Sequence, residues 1–399
     1  MSHSIYSSLV SSKDKKLRET AFNSIMNGFG KFNKTLAELY ISNLKSENDF
    51  NKLTNYKNSL EARLEDEDVP TSVFDNNLKN VQKNIPVLQQ YIKTKATNQE
   101  KFAYYDLFKD EKINGKVTLQ KGIEIMLKAL SPLGEDYIKM VERKLNDKSI
   151  DFMPNLNKDS GAYCSDMYDC KTLILMNWKD DFNSLSTLVH EMGHCINAEL
   201  FNASQPQEKA GITIFSAEIA STVNEILLNE YMLKNSKTKK EKLYYLNEFL
   251  EQVRSTIFRQ TLFSEFELYS HTQIENETPI TYEDLNNKYF ELCKKYYGNS
   301  CILPKNLKFE WSRIPHFYRS FYVYSYSTGL LTAICIAKRI LNNKEYTKNY
   351  IKFLQNGISR PAVEVLKEID VDLTTDKPFI EAFEFIKNRL HEYKKAINC

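Results

Sequence analysis

Apolar residues recur at helical spacing along most of the chain. Leu36, Leu39, Tyr40 and Leu44 form one such stripe, and Val81, Ile85, Leu88 and Ile92 a second. Leu243, Leu246, Leu250 and Val253 form a third. The second stripe contains Pro86, which either kinks a helix or starts one. With only 11 Gly and 10 Pro in 399 residues, few breakers interrupt these patterns, and the pattern predicts a mainly α, multi-helix protein. Residues 1–150 read as antiparallel helices with breaks near Glu67–Pro70 and Lys109–Gly115. Further breaks are expected near Asn276–Pro279, Tyr297–Pro304 and Gly357–Pro361. No repeat, low-complexity linker or Pro/Gly-rich hinge is visible.

Residues 155–180 break the helical pattern. Gly161-Ala162-Tyr163 sits in a polar loop, and Thr172 to Trp178 reads as a short strand, so a small sheet is expected here. As a strand, it offers an edge to which an extended peptide could add through backbone hydrogen bonds. Asp180, Asp181 and Ser184 supply N-cap chemistry for a helix over roughly 184–201. A loop at 202–213 with Pro206 and Gly211 follows, then a strongly patterned helix from about Phe215 to Leu233.

Composition narrows the class. An apolar fraction of 42% over 399 residues supports a large core, and the length admits two or three domains. Charges nearly cancel to a net +2, so there is no basic field to attract nucleic acid. Seven cysteines at irregular spacing, with no C-x-x-C, argue against a disulfide framework or a thiolate zinc cluster and for reduced thiols in the cytoplasm. The first residues, Met1 to Tyr6, lead into a Lys-rich stretch without the apolar region of a secretory signal. No apolar run approaches a membrane span.

The chemistry concentrates in His190-Glu191-Met192-Gly193-His194. Histidines at i and i+4 lie on one helical face, one turn apart, so both imidazoles can reach one metal ion. Glu191 is offset by about 100°, placed to activate a water held by that ion without displacing either ligand. Six histidines in the chain make a chance H-E-x-x-H rare, about once in a hundred such chains or less, so the motif carries weight. Leu185, Leu188, Val189, Met192 and Ile196 give the helix an apolar body. Cys195 diverges from His194 and reads as a small helix residue outside the site.

A catalytic zinc needs a third protein ligand and an open position. No third histidine follows at short spacing, so a carboxylate is required. The second helix carries Glu218 and Glu225, seven residues apart on one face and about 10 Å apart along the axis. Both cannot bind one ion directly. Glu218 is therefore expected as the ligand and Glu225 as acceptor for a ligand imidazole N–H. Ala217, Ile219, Ala220, Val223, Ile226 and Leu227 around them indicate burial, which is costly for carboxylates without a counter-charge.

Thr187 to His194, followed by Phe215-Ser216-Ala217-Glu218-Ile219-Ala220-Ser221-Thr222, resembles the oligoendopeptidase F branch of the thimet-oligopeptidase-like zinc metallopeptidases. Arg254 to Thr261, Ile314 to Gly329 and Val365 to Asp372 resemble that family too, so the likeness spans essentially the whole chain. It implies a gluzincin-type fold with a substrate channel between helical lobes. The expected organisation is one catalytic domain over 1–399, with a helical lobe at 1–150 and a zinc-binding lobe at 151–399. It also implies a single Zn2+, short oligopeptide substrates, and the absence here of the family's usual N-terminal region. A His and one or two Tyr from 316–329 are expected to face the zinc and stabilise the carbonyl oxygen. By spacing, Tyr318, Tyr322 and Tyr326 would share a helical face with Tyr324 elsewhere. The choice falls on His316, Tyr322 and Tyr324, although a Tyr-rich stripe also suits core packing.

The reading is therefore a zinc endopeptidase, with Glu191 as general base and His190, His194 and Glu218 as ligands. One alternative is a catalytically silent peptide-binding form, against which the intact Glu191 argues. The other is a helical metallocarboxypeptidase, which needs a carboxylate-binding Arg that the sequence does not reveal.

Overall fold

The computed structural model describes residues 3–97, 99–111 and 116–398. Cys399, Met1 and Ser2 lie outside the described residues. So do residues 112–115, where the end of the break expected over Lys109–Gly115 falls. The described chain is mainly helical with one small sheet. Helix boundaries flank the expected breaks: helices end at Glu65 and resume at Thr71, and the helix ending at Glu275 is followed by one from Tyr282. Pro86 sits in the first turn of the helix Ile85–Lys95, where its missing N–H has no helical partner to lose. It is a helix start, not a kink. No helix among the described residues is long and apolar enough to cross a membrane.

The chain forms two compact units, each discontinuous in sequence. The first comprises Met1–Asp66, Asn77–Lys112 and Arg254–Tyr324; the second comprises Glu67–Asn76, Ile113–Val253 and Ser325–Cys399. The units do not divide at residue 150, because helices far apart in sequence pack on one another.

In the first unit the helix Asn33–Leu53 lies against Arg259–Glu275. Tyr40 stacks on Phe266 with centroids 6.2 Å apart, and its hydroxyl bonds the Ser270 hydroxyl at 2.7 Å. Glu310 is 1% exposed and gathers donors from four elements. It accepts from Arg259 at 2.8 Å, Arg313 at 3.1 Å, Tyr289 at 2.7 Å and Tyr104 at 3.2 Å. Burial opposes its ionisation, yet Arg259, Arg313 and the tyrosine hydroxyl outweigh it and hold the carboxyl below its ordinary 4.5. The folded-state pKa lies below the unfolded one. Its stabilisation is therefore complete above the ordinary carboxylate range and is lost as pH falls through the lower folded value. Glu310→Leu, which strands two guanidiniums, is expected to cost about 3–5 kcal/mol at pH 7. That penalty should shrink as pH drops below 4.5. Urea midpoints at several pH values would test this, and a pH-independent difference would refute it.

The second unit holds the sheet, whose strand order is β1-β3-β2: β1 is Ile150–Asp151, β2 Tyr163–Ser165 and β3 Leu173–Leu175. β3 pairs parallel with β1 and antiparallel with β2. The strand expected at 172–178 is thus central and has no free edge, which corrects the expectation that a peptide adds to it. The free edge nearest the motif helix belongs to β2. Ile174 N–H turns to Ser149 on the β1 side. Its partner Cys164 therefore directs its backbone groups away from β3, by the alternation of an antiparallel ladder. Sequence patterning missed β1 and β2 because, unlike the apolar run that holds β3, two or three residues of mixed polarity show no strand pattern.

Candidate metal centre

The motif helix, Phe182–Ser204, starts at Asp181, whose carboxylate accepts from Ser184 N–H at 2.8 Å. This satisfies one of the helix's open donors. Asp180 is not the cap: it adopts φ 55° and accepts from the Trp178 indole at 2.8 Å. Leu185, Leu188, Val189, Met192 and Ile196 are all fully buried, which fixes the rotation of the helix and turns His190 and His194 to one side.

The carboxylate helix, Ile214–Asn235, packs along it. Its first turn is held by Glu67, which accepts from Phe215 N–H at 2.6 Å across 148 residues of sequence. Asn224 ties the two helices by donating to the Val189 carbonyl at 3.3 Å and to Tyr137 at 3.0 Å. Gly193 sets their separation. A Cβ there would stand 2.6 Å from the Ser221 Cα and 2.8 Å from the Ala220 carbonyl. Only glycine lets the second backbone approach this closely.

That approach brings three donors together. His190 Nε2 and His194 Nε2 are 3.2 Å apart, and Glu218 Oε2 lies 3.5 Å and 3.7 Å from them. Ligands of a tetrahedral zinc with bonds near 2.0–2.1 Å stand about 3.3–3.4 Å apart. The spacing and chemistry of the three groups thus suit such an ion, and they form the one such His/Cys/Asp/Glu group among the described residues. The three side chains are 25%, 23% and 31% exposed, so the cluster is open on one side.

Glu225 Oε1 stands 3.3 Å from His190 Nδ1, and Gln252 Nε2 donates to Glu225 Oε2 at 2.6 Å. Gln252 is a supporting residue that sequence reading missed. Only its place one residue before an unusual π-helical turn, Val253–Phe258, marks it, and no sequence spacing announces that turn. Burial opposes the charge on His190, but Glu225, Glu218 and Glu191 prevail and raise its pKa to about 9. Burial and the neighbouring His190 lower His194 to about 4.

Glu191 is 7% exposed. Burial raises its pKa, partly offset by His190 and by the N–H of Cys164 on β2, which donates to it. The free edge of the sheet therefore lies directly beside this carboxylate. Cys195 is buried and paired with the Thr172 hydroxyl at 2.8 Å.

The remaining candidates belong to the first unit. His316 and Tyr322 stack with centroids 5.7 Å apart and planes 5° from parallel. Arg319 lies 4.7 Å from the Tyr322 ring centre. Partial burial and Arg319 lower the pKa of His316. Tyr324 is 3% exposed, at the start of the helix Tyr324–Asn342. Tyr318 and Tyr322 precede that helix, so the shared helical face expected for Tyr318, Tyr322 and Tyr326 does not form. A 3-10 turn and a left-handed residue, Phe321, replace it.

Oligopeptidase PepF of Bacillus subtilis (strain 168) is 37% identical, with 100% of this chain matching 60% of its length. The chromosomal oligoendopeptidase F of Lactococcus lactis subsp. cremoris is 33% identical, and 100% of this chain matches 67% of it. The crystal structure of oligoendopeptidase-F from Enterococcus faecium superposes with a TM-score of 0.80 at 34% identity, covering 100% of this chain and 66% of that one. The chain thus spans 60% of the Bacillus relative's length. The model of Peptidase family M3 matches residues 8–385, and with these relatives it shows that the chain belongs to peptidase family M3.

Proposed function

We propose that this chain carries the catalytic centre of a zinc-dependent endopeptidase that hydrolyses short oligopeptides. The observation that carries this reading is the convergence of His190, His194 and Glu218 within ligand spacing, with the buried carboxylate of Glu191 beside them. His190, His194 and Glu218 would hold the ion, and Glu225 would orient His190. Zinc in that position would supply Lewis acidity, polarising a carbonyl and lowering the pKa of water towards about 7.

The chain's own groups do the rest. Glu191 takes the proton of the attacking water and returns it to the departing amine; its raised pKa suits a group that must both accept and release a proton. An extended peptide pairs with the outward carbonyl of Cys164 on β2, whose N–H is already given to Glu191; such backbone pairing gives affinity with little demand on side chains. His316 and Tyr322 are the proposed donors to the developing oxyanion. The buried Tyr324 stands as a candidate only through the family likeness. The printed names of the relatives, oligopeptidase and oligoendopeptidase, support oligopeptides as the substrate class. The six cysteines among the described residues are free, which supports a reducing, cytoplasmic setting.

The test is hydrolysis of an internally quenched peptide blocked at both ends. Cleavage at an internal bond, abolished by a chelator and restored by zinc, is expected. Chelator-insensitive cleavage would refute the metal mechanism, and removal of terminal residues only, from unblocked peptides, would replace it with an exopeptidase.

A further inference from the structure

The loop that carries His316 and Tyr322 contains a backbone conformation that calls for a cause. Phe321 has φ 50°, in the left-handed region that bulky side chains avoid. The other non-glycine residues of positive φ among the described residues are Asn, Asp, Lys or Glu, and Phe321 is the sole aromatic. Such outliers persist where the surroundings over-determine them, and they gather at functional sites.

Three contacts within the first unit hold this one. Glu267 Oε1 accepts from Phe321 N–H at 2.9 Å. The Phe321 ring, 1% exposed, lies 4.7 Å from the ring of His271. The Ser320 hydroxyl donates to the Glu47 carboxylate. Glu267 and His271 are four residues apart on the helix Arg259–Glu275, so they present one face to the loop.

Glu267 is fully buried, and no cation among the described residues accompanies it: its Oε2 has no hydrogen-bond partner there. Burial, with Glu47 adding to it, pushes the carboxyl well above its ordinary range, which favours its neutral form. A carboxyl buried without a counter-charge is an expensive way to fill a core. Its one hydrogen bond in the structure goes to the N–H of the strained residue. The reversal at Phe321 returns the chain so that Tyr322 stacks on His316. Backbone bonds from Arg319 N–H to the His316 carbonyl, 2.9 Å, and from Tyr322 N–H to the Arg319 carbonyl, 3.2 Å, tie the turn.

We propose that Glu267 is a positioning residue: by fixing Phe321 in its left-handed backbone it sets the orientation of the stacked His316 and Tyr322 side chains for catalysis. The catalytic part rests on the function proposed above; the part about the turn does not.

Three variants of the full chain test it. Glu267→Gln keeps a neutral acceptor of the same length, Glu267→Leu removes it, and Glu267→Asp shortens it by one methylene with less disturbance of the core. Hydrogen exchange over residues 314–324 reads the turn. Turnover of the blocked peptide and zinc content read the reaction. Gln is expected to match wild type in both. Leu and Asp should exchange this segment faster, with zinc content and KM little changed and kcat lowered by roughly tenfold to a hundredfold, the effect of a small misplacement of transition-state donors. Unchanged exchange in both Leu and Asp would overturn the proposal. So would faster exchange with unchanged kcat, or a Gln variant as impaired as Leu. If wild type cleaves no blocked peptide, the function proposed above fails. The exchange pattern then decides alone whether Glu267 sets the turn.

Discussion

Glu191→Gln is expected to retain its full complement of zinc while losing peptide hydrolysis by roughly 10²–10⁴-fold in kcat, the range for a positioned general acid–base. The substitution is nearly isosteric. The amide oxygen can still accept the Cys164 N–H that now reaches the carboxylate, so β2 and the motif helix keep their relation. Burial also favours a neutral group at this 7% exposed position, so stability should not fall. What the amide lacks is a basic oxygen to take a proton. Metal content by mass spectrometry and turnover of the blocked peptide decide the matter. A fully loaded variant that turns over like wild type would remove Glu191 from the mechanism.

Glu218→Ala acts on the other half of the site. Its Oε2 is the donor that approaches both imidazoles, at 3.5 Å and 3.7 Å, and no other carboxylate among the described residues joins that group. Two imidazoles alone leave the ion without its third anchor and without a compensating negative charge. Affinity should therefore drop by more than the 10–100-fold typical of losing an outer partner of a ligand. Glu225→Gln supplies that outer comparison, since Glu225 touches His190 Nδ1 at 3.3 Å. The fold should tolerate Glu218→Ala: the side chain is 31% exposed, and Ala is the best helix former. Competition with a chromophoric chelator gives both affinities. Zinc retained at wild-type affinity in Glu218→Ala would overturn the ligand assignment.

Both predictions rest on residues that could be picked out in one dimension. Histidines at i and i+4 and carboxylates at a seven-residue interval are periodic features, and a helix converts such intervals into faces without outside help. The long helices were legible for the same reason, and the sheet's central strand stood out as the apolar run Leu173 to Met176. Other features had no periodic signature. β1 and β2 are two and three residues long and exist through pairing with β3. Tyr318 and Tyr322 have helical spacing but lie outside the helix. A Pro-led 3-10 turn and the left-handed Phe321 divert the chain there, and the acceptor that holds Phe321 comes from Glu267 on another helix.

Gly193 shows the boundary between the two kinds of information. A glycine inside a helix costs about 1 kcal/mol relative to alanine, so its presence in the motif signals a purpose without naming it. The purpose appears only when the Ser221 backbone lies where a Cβ would be. Sequence alone picked out the candidate ligands, the candidate base and the helices that carry them, because these follow from local backbone geometry. Tertiary structure decided how closely Glu218 approaches the histidines, which strands lie at the sheet's edges, and how Gln252, Glu67 and Glu267 support the loops and candidate ligands. Those depend on contacts between residues far apart in the chain, whose formation local spacing does not encode.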